Sequence, residues 1–184
     1  SLTFSGSNVT VWGNKAGGSN NLVPVAPWAG PTRFEGYLAT AGGKLDLPVE
    51  YTTVRGIAVV LYHATGTSGG DYNYFLCGKT TYHTHGGTGT ALFDTNYTSG
   101  NFSGGSAWIN GTATSVAALT KPTTATVLVF STTDVITIGR VSGGQDGFDR
   151  FWNGYIGQVV LYSTALDENK ALSITARLRA KWGI

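Results

Sequence analysis

Ser106-Ala107-Trp108-Ile109-Asn110-Gly111-Thr112-Ala113-Thr114-Ser115-Val116 decides the fold class of this chain. Two extended runs flank Asn110-Gly111, and Asn-Gly is the strongest short hairpin signal, because both central residues of the turn need positive φ. Outward from this hairpin the pattern recurs. Residues 125–132 and 135–138 read as two more strands, and residues 153–162 as another, apolar at Ile156, Val159, Val160 and Leu161. Residues 54–63 form the longest apolar strand before the middle of the chain, with Ile57, Val59 and Leu61 on one face and Ala58, Val60 and Tyr62 on the other. Apolar residues on both faces predict a strand covered on both sides. Residues 9–12 and 33–41 add strands near the N-terminus, and residues 72–78 resume extended structure after a loop at 65–70. Turn clusters lie between them, at 14–21 and at Gly42-Gly43. Many short strands with such turns predict a sandwich or a barrel.

The end of the chain changes period. Asp167 is placed to cap a helix with Glu168 in its first turn, and Ala171, Ile174, Leu178 and Trp182 make one apolar stripe before Gly183 closes it. The expected architecture is therefore all-β, with one short C-terminal helix. At 184 residues, with neither repeat nor linker visible, residues 1–184 form a single domain.

Composition narrows the function classes. Gly, Ser, Thr and Asn supply 76 of the 184 residues, yet 41% of the chain is apolar, enough to fold rather than stay disordered. The formal charge is +2, and the 12 Lys and Arg are spread thinly. Their one cluster, Arg177, Arg179 and Lys181, falls at the end of the expected helix, where the helix dipole favours cations. Nucleic-acid binding, which needs a basic patch, is not indicated. Membrane insertion is not indicated either, because no apolar run approaches about 18 residues. Cys77 is the single cysteine, so no intrachain disulfide framework exists. The start, Ser1-Leu2-Thr3-Phe4, has neither an initiator Met nor signal-peptide character, which suggests a piece of a larger parent. Sequons at Asn8, Asn96, Asn101 and Asn110 carry little weight in so Thr-rich a chain.

The C-terminal third carries motifs. Trp108-Ile109-Asn110-Gly111 is followed some forty residues later by Phe151-Trp152-Asn153-Gly154-Tyr155-Ile156-Gly157-Gln158-Val159-Val160-Leu161-Tyr162. Then come Ala165-Leu166-Asp167-Glu168 and Lys181-Trp182-Gly183. In order and spacing these resemble laminin-G-like domains of the concanavalin-A-like lectin and glucanase superfamily. The resemblance covers roughly residues 105–184 well, whereas the N-terminal half matches mainly in strand rhythm. It implies a two-sheet antiparallel jelly-roll sandwich of the kind found in lectins, glycan-degrading enzymes, bacterial adhesins and phage tail fibres. The Thr- and Gly-rich, nearly Cys-free character suits the bacterial or phage kind, and hence an extracellular or virion-surface location. In a fibre the domain would assemble as a homotrimer.

Catalysis finds little support in the residues. Glycan hydrolysis needs two carboxyl groups flanking the scissile bond. Glu35, Glu50 and Glu168 stand isolated, and the E-x-D-x-x-E strand of the superfamily's glucanases is absent. Cys77 has no adjacent basic residue to generate a thiolate. His83-Thr84-His85, on one strand face, reads first as a polar strand face or a hydrogen-bonded loop anchor, and then as a ligand contact or, with Asp71 or Asp94, a metal site. No cofactor is required, although calcium is possible: Asp146 and Asp149, in a Gly-rich loop, are the best oxygen ligands, with the loop at Asp71 second.

Sugar binding asks for an aromatic ring to stack on a pyranose and polar groups to fix its hydroxyls. Asp71, Tyr72, Tyr74, His83, His85, Asp94, Asn96 and Tyr97 supply both within one stretch, and Trp28 is a further exposed-aromatic candidate. Gly86, Gly87 and Gly89 would permit close backbone approach. Trp12, Trp152 and Trp182 read as core. The expectation is a non-catalytic, lectin-like module recognising a cell-surface glycan, as in host recognition by a phage fibre or an adhesin. The rivals are a structural or virion-decoration module without sugar binding, and a glycan hydrolase.

Overall fold

A computed structural model of the chain describes residues 45–64, 72–81, 83–144 and 150–184, together with the backbone of five strands nearer the N-terminus. Those five are β1 (Leu2–Ser5), β2 (Asn8–Trp12), β3 (Val23–Pro24), β4 (Thr32–Phe34) and β5 (Tyr37–Ala39). Then follow β6 (Leu45–His63), β7 (Leu76–Cys77), the short helix α1 (Gly100–Ser103), β8 (Ser106–Ile109) and β9 (Thr112–Ser115). The chain closes with β10 (Thr126–Val141), β11 (Gly154–Tyr162) and α2 (Glu168–Trp182). The protein is mostly antiparallel β with two short helices.

The described strands join in one hydrogen-bonded path, β1-β2-β4-β5-β11-β6-β10-β8-β9, with β3 on β6 and β7 on β10. At its centre β6 is paired with β11 on one side and β10 on the other, both antiparallel. Both faces of β6 are buried as its sequence predicts. Ile57, Val59 and Leu61 enter a core with Phe75, Phe93, Phe102, Phe130 and Trp152. Ala58 and Val60 enter a second core with Leu166, Ala171 and Leu178, beneath α2. Gly56 admits Leu166 to that second core, because a Cβ there would come within 2.7 Å of the Leu166 side chain. Over the opposite face, segment 72–104 contributes β7, α1 and isolated bridges such as Gly86 with Phe93.

The Asn110-Gly111 turn links β8 and β9 as expected, with φ of 51° and 90° at its two residues. The Asn110 side chain also accepts the Val127 N–H at 3.0 Å, tying the turn to β10. The two strands expected at 125–132 and 135–138 are instead one, β10, whose register against β6 shifts between Ser131 and Ile136. Arg55 holds that bulge, donating to the carbonyl of Thr133 at 2.9 Å. The single strand expected at 33–41 is two, β4 and β5, paired antiparallel. Of the extended stretch expected at 72–78, only β7 is strand, and Tyr72 has a left-handed φ of 62°.

The helix follows its sequence signals. Asp167 accepts the Lys170 N–H at 2.9 Å, Glu168 lies in the first turn, and Gly183 ends the helix at φ 68°. Ala171 and Leu178 are buried, as is Thr175, which the apolar stripe omits. Trp152 is fully buried, as expected of core, whereas Trp182 is half-buried, its ring lying over Gly157 and its Nε1 donating to Gln158 at 3.3 Å. The side chain of Trp12 and the loops at 14–21, 42–43 and 65–70 lie outside the described residues.

Candidate functional site

The site begins with a short antiparallel crossing. Asp94 N–H donates to the His85 carbonyl at 2.9 Å, Gly87 N–H to Leu92 at 3.1 Å, and Tyr72 N–H to Gly87 at 3.1 Å. Gly86 is required where the chain crosses itself, since a Cβ there would overlap the backbone of Tyr72 and Asn73. This glycine serves the protein's own backbone, and so does Gly87, which packs against the carbonyls of Ala91 and Phe93; Gly89 faces open space. Lys121 Nζ fixes the turn by donating to the carbonyls of Gly87 at 3.1 Å and Gly89 at 2.8 Å.

Asp94 starts the next turn. Its Oδ1 accepts the Asn96 N–H at 3.0 Å, and its carbonyl accepts those of Tyr97 at 3.2 Å and Thr98 at 2.9 Å. Asp and Asn favour such turns because a side-chain oxygen can stand in for a backbone acceptor. The result lifts Tyr97 onto the surface, 57% exposed, beside the exposed Asn96 and the half-buried Asp94.

His85 lies at the centre of the aromatic residues. Its ring is edge-on to Tyr72 at 5.3 Å and to Tyr74 at 5.1 Å, and tilted at 36° to Tyr97 at 5.1 Å. Nδ1 lies 3.0 Å from the Gly86 carbonyl. A carbonyl can only accept, so Nδ1 carries the proton and Nε2 presents a lone pair. Arg150 meets that lone pair, with Nη1 at 3.4 Å, while its guanidinium carbon lies 4.5 Å over the Tyr72 ring. Burial, seconded by the Arg150 charge, holds the His85 pKa below its ordinary value against the opposing pull of the Gly86 bond and Asp94. At neutral pH His85 is a neutral hub.

The structure thus brings together Tyr72, Tyr74, His85, Asp94, Asn96 and Tyr97. Tyr74, at 4% exposure, is an inner wall and offers no ring face to solvent. His83 and His85 do not form the expected pair on a strand face. His83 turns to Ser99, its Nδ1 3.3 Å from the hydroxyl, and burial lowers its pKa. Arg150 is the participant missed in the sequence; its approach to His85 spans 65 positions. Trp28, Asp71, Asp146 and Asp149 lie outside the described residues.

Among the described residues no group of three or more His, Cys, Asp or Glu is gathered where it could hold a metal ion. Asp46 and Glu50 are engaged elsewhere: Asp46 pairs with Arg140 at 2.5 Å, and Glu50 accepts the Lys79 N–H at 2.5 Å. Cys77 is buried, with its sulfur 3.7 Å from the Thr81 carbonyl. No helix among the described residues is long and apolar enough to cross a membrane. Comparison with protein-family models, with curated proteins and with solved structures finds no match to this chain.

Proposed function

We propose that this protein is a non-catalytic, lectin-like module that binds a glycan of a cell surface through the Tyr97 face. The observation that carries the reading is the exposed Tyr97 ring on the Asp94 turn, next to Asn96 in the chain and backed by His85, which Tyr72 also contacts. An exposed ring is a platform for the apolar face of a pyranose, and carboxylate and amide groups beside it are partners for hydroxyls. The backing ring, His85, is buried and hydrogen-bonded to the Gly86 carbonyl, so it needs little ordering on binding.

The reading extends to the finer architecture, a concanavalin-A-like jelly-roll sandwich. Support comes from the motif residues: Asn110-Gly111 turns a hairpin, residues 154–162 form the strand beside β6, and Asp167 and Gly183 bound α2. The lengths of β6 and β10, 19 and 16 residues with breaks in register, suit strands that bend from one layer to the next. Such a domain fits an extracellular or virion surface, as in a phage fibre, where it would be trimeric, or an adhesin.

A broad glycan array tests the function, followed by titration of the best ligand into wild type and Tyr97→Ala. The expected result is at least a tenfold loss of affinity in the variant with an unchanged melting temperature. Retained affinity in a folded variant, or an array with no binder, would refute the reading. Release of reducing ends from any bound polysaccharide would favour a hydrolase instead.

A further inference from the structure

We propose that Asn110 is a site of spontaneous covalent modification, deamidated by attack of its own main chain, and that the fold confines this reaction to it. Asn-Gly occurs twice in the chain, at Asn110-Gly111 and at Asn153-Gly154. In each, the amide nitrogen of the glycine can attack the asparagine Cγ, because no side chain on the glycine hinders the approach. The new C–N bond closes a succinimide ring, and the bond from Cγ to Nδ2 breaks. Nδ2 leaves as ammonia with the proton given up by the glycine nitrogen, and water then opens the ring to aspartate or isoaspartate. Water is the one reactant consumed.

The two sites differ in what surrounds them. Asn110 is exposed, and its peptide bond to Gly111 lies in the turn, beyond the last ladder pair of Ile109 with Thr112. Its Oδ1 accepts the Val127 N–H at 3.0 Å, while its own N–H donates to the Val127 carbonyl at 2.9 Å. Negative charge develops on Oδ1 as the ring closes, and a backbone N–H is aimed at that atom before the reaction begins. At the second site Gly154 is buried and paired with His63 in the central sheet, where a Cβ would overlap the Tyr62 carbonyl and the His63 backbone. The carbonyl of the Asn153–Gly154 peptide accepts the Ala64 N–H at 2.9 Å, so the nitrogen that must attack belongs to a peptide held in place. Ring closure there requires β11 to leave β6, and core strands open far more rarely than turns. The products at residue 110 also differ. Aspartate keeps an acceptor for Val127, whereas isoaspartate runs the main chain through the side-chain carbon and lengthens the turn that Leu172 of α2 approaches.

The test incubates the intact chain in mildly alkaline buffer, natively folded and in parallel in concentrated guanidinium chloride. Mass spectrometry follows the peptides that carry residues 110 and 153. Isoaspartate is scored separately, since direct hydrolysis of the amide yields aspartate alone. In the folded chain Asn110 should convert at least about tenfold faster than Asn153, with isoaspartate among its products. In the denaturant the two should convert at similar rates. An Asn110 no faster than Asn153 in the folded chain would overturn the proposal. The same preference for Asn110 in denaturant would overturn it as well, because flanking sequence and not the fold would then set the rate. Aspartate without isoaspartate at residue 110 would exclude attack by Gly111 and overturn the route. Wild-type protein serves throughout, so the result does not depend on the folding of a variant.

Discussion

Arg140 shows how much one side chain can carry in so lightly charged a protein. It is 1% exposed, its Nε lies 2.5 Å from Asp46, and its Nη1 donates to the Gly144 carbonyl at 2.7 Å. Removing one member of a buried pair leaves the other desolvated without compensation, which costs about 3–5 kcal/mol. Lys79 also pairs with Asp46, at 3.8 Å, but it is the more exposed cation and replaces Arg140 only weakly. Arg140→Met should therefore destabilise the protein by about that amount in urea denaturation. A loss under about 1 kcal/mol would mean that water reaches Asp46. The exposed Lys170–Asp167 pair is a useful contrast, since Lys170→Met there should barely register.

Among the elements, the β8–β9 hairpin and α2 each rest on a few positions. Gly111 sits at φ 90° with Leu172 of the helix 3.3 Å from where its Cβ would be. Gly111→Ala should cost about 1–2 kcal/mol through left-handed strain. A neutral effect in thermal unfolding would mean that the turn had relaxed to another type. For α2 the decisive residue is Trp182, whose ring lies 3.0 Å from where a Gly157 Cβ would be, at a break in the β11 register. The ring is half-buried, so Trp182→Ala should fall below the roughly 3–5 kcal/mol of a fully buried aromatic, at about 1–3 kcal/mol. Gly157→Ala should also destabilise, because the added methyl competes with the ring for the same space; a double variant less harmful than the sum of the two would demonstrate the contact.

The whole molecule has a pH dependence written into its histidines. His63, His83 and His85 all have pKa values lowered first of all by burial; the Lys121 charge adds to this at His63 and the Arg150 charge at His85. The unfolded chain takes up protons near the ordinary histidine value of about 6.5, whereas the folded one resists until lower pH. Stability from these groups is thus fully present above about pH 6.5 and is lost as pH falls through the folded values. The melting temperature should drop between about pH 7 and pH 5.5 and stay level between about pH 7 and pH 8. A flat profile across the lower range would show that the three rings are solvated.

The sequence by itself determined what depends on near neighbours. The Asn110-Gly111 turn, the two apolar faces of residues 57–61 and both ends of α2 were legible because turn chemistry, strand alternation and helix capping act within a few positions. The candidate site was legible as a composition, a run of tyrosines, histidines and Asp94, but not as an arrangement. Only the tertiary structure decided that Tyr74 turns inward and Tyr97 outward, because the irregular segment that carries them has no period from which a face can be read. The two expected strands join into β10 along β6, where Arg55 donates to the Thr133 carbonyl from 78 positions away. Arg150 reaches His85 and Arg140 reaches Asp46 across 65 and 94 positions. Such pairings form only when the sheet closes, and a charged side chain carries no local signal of the partner that closure will bring to it.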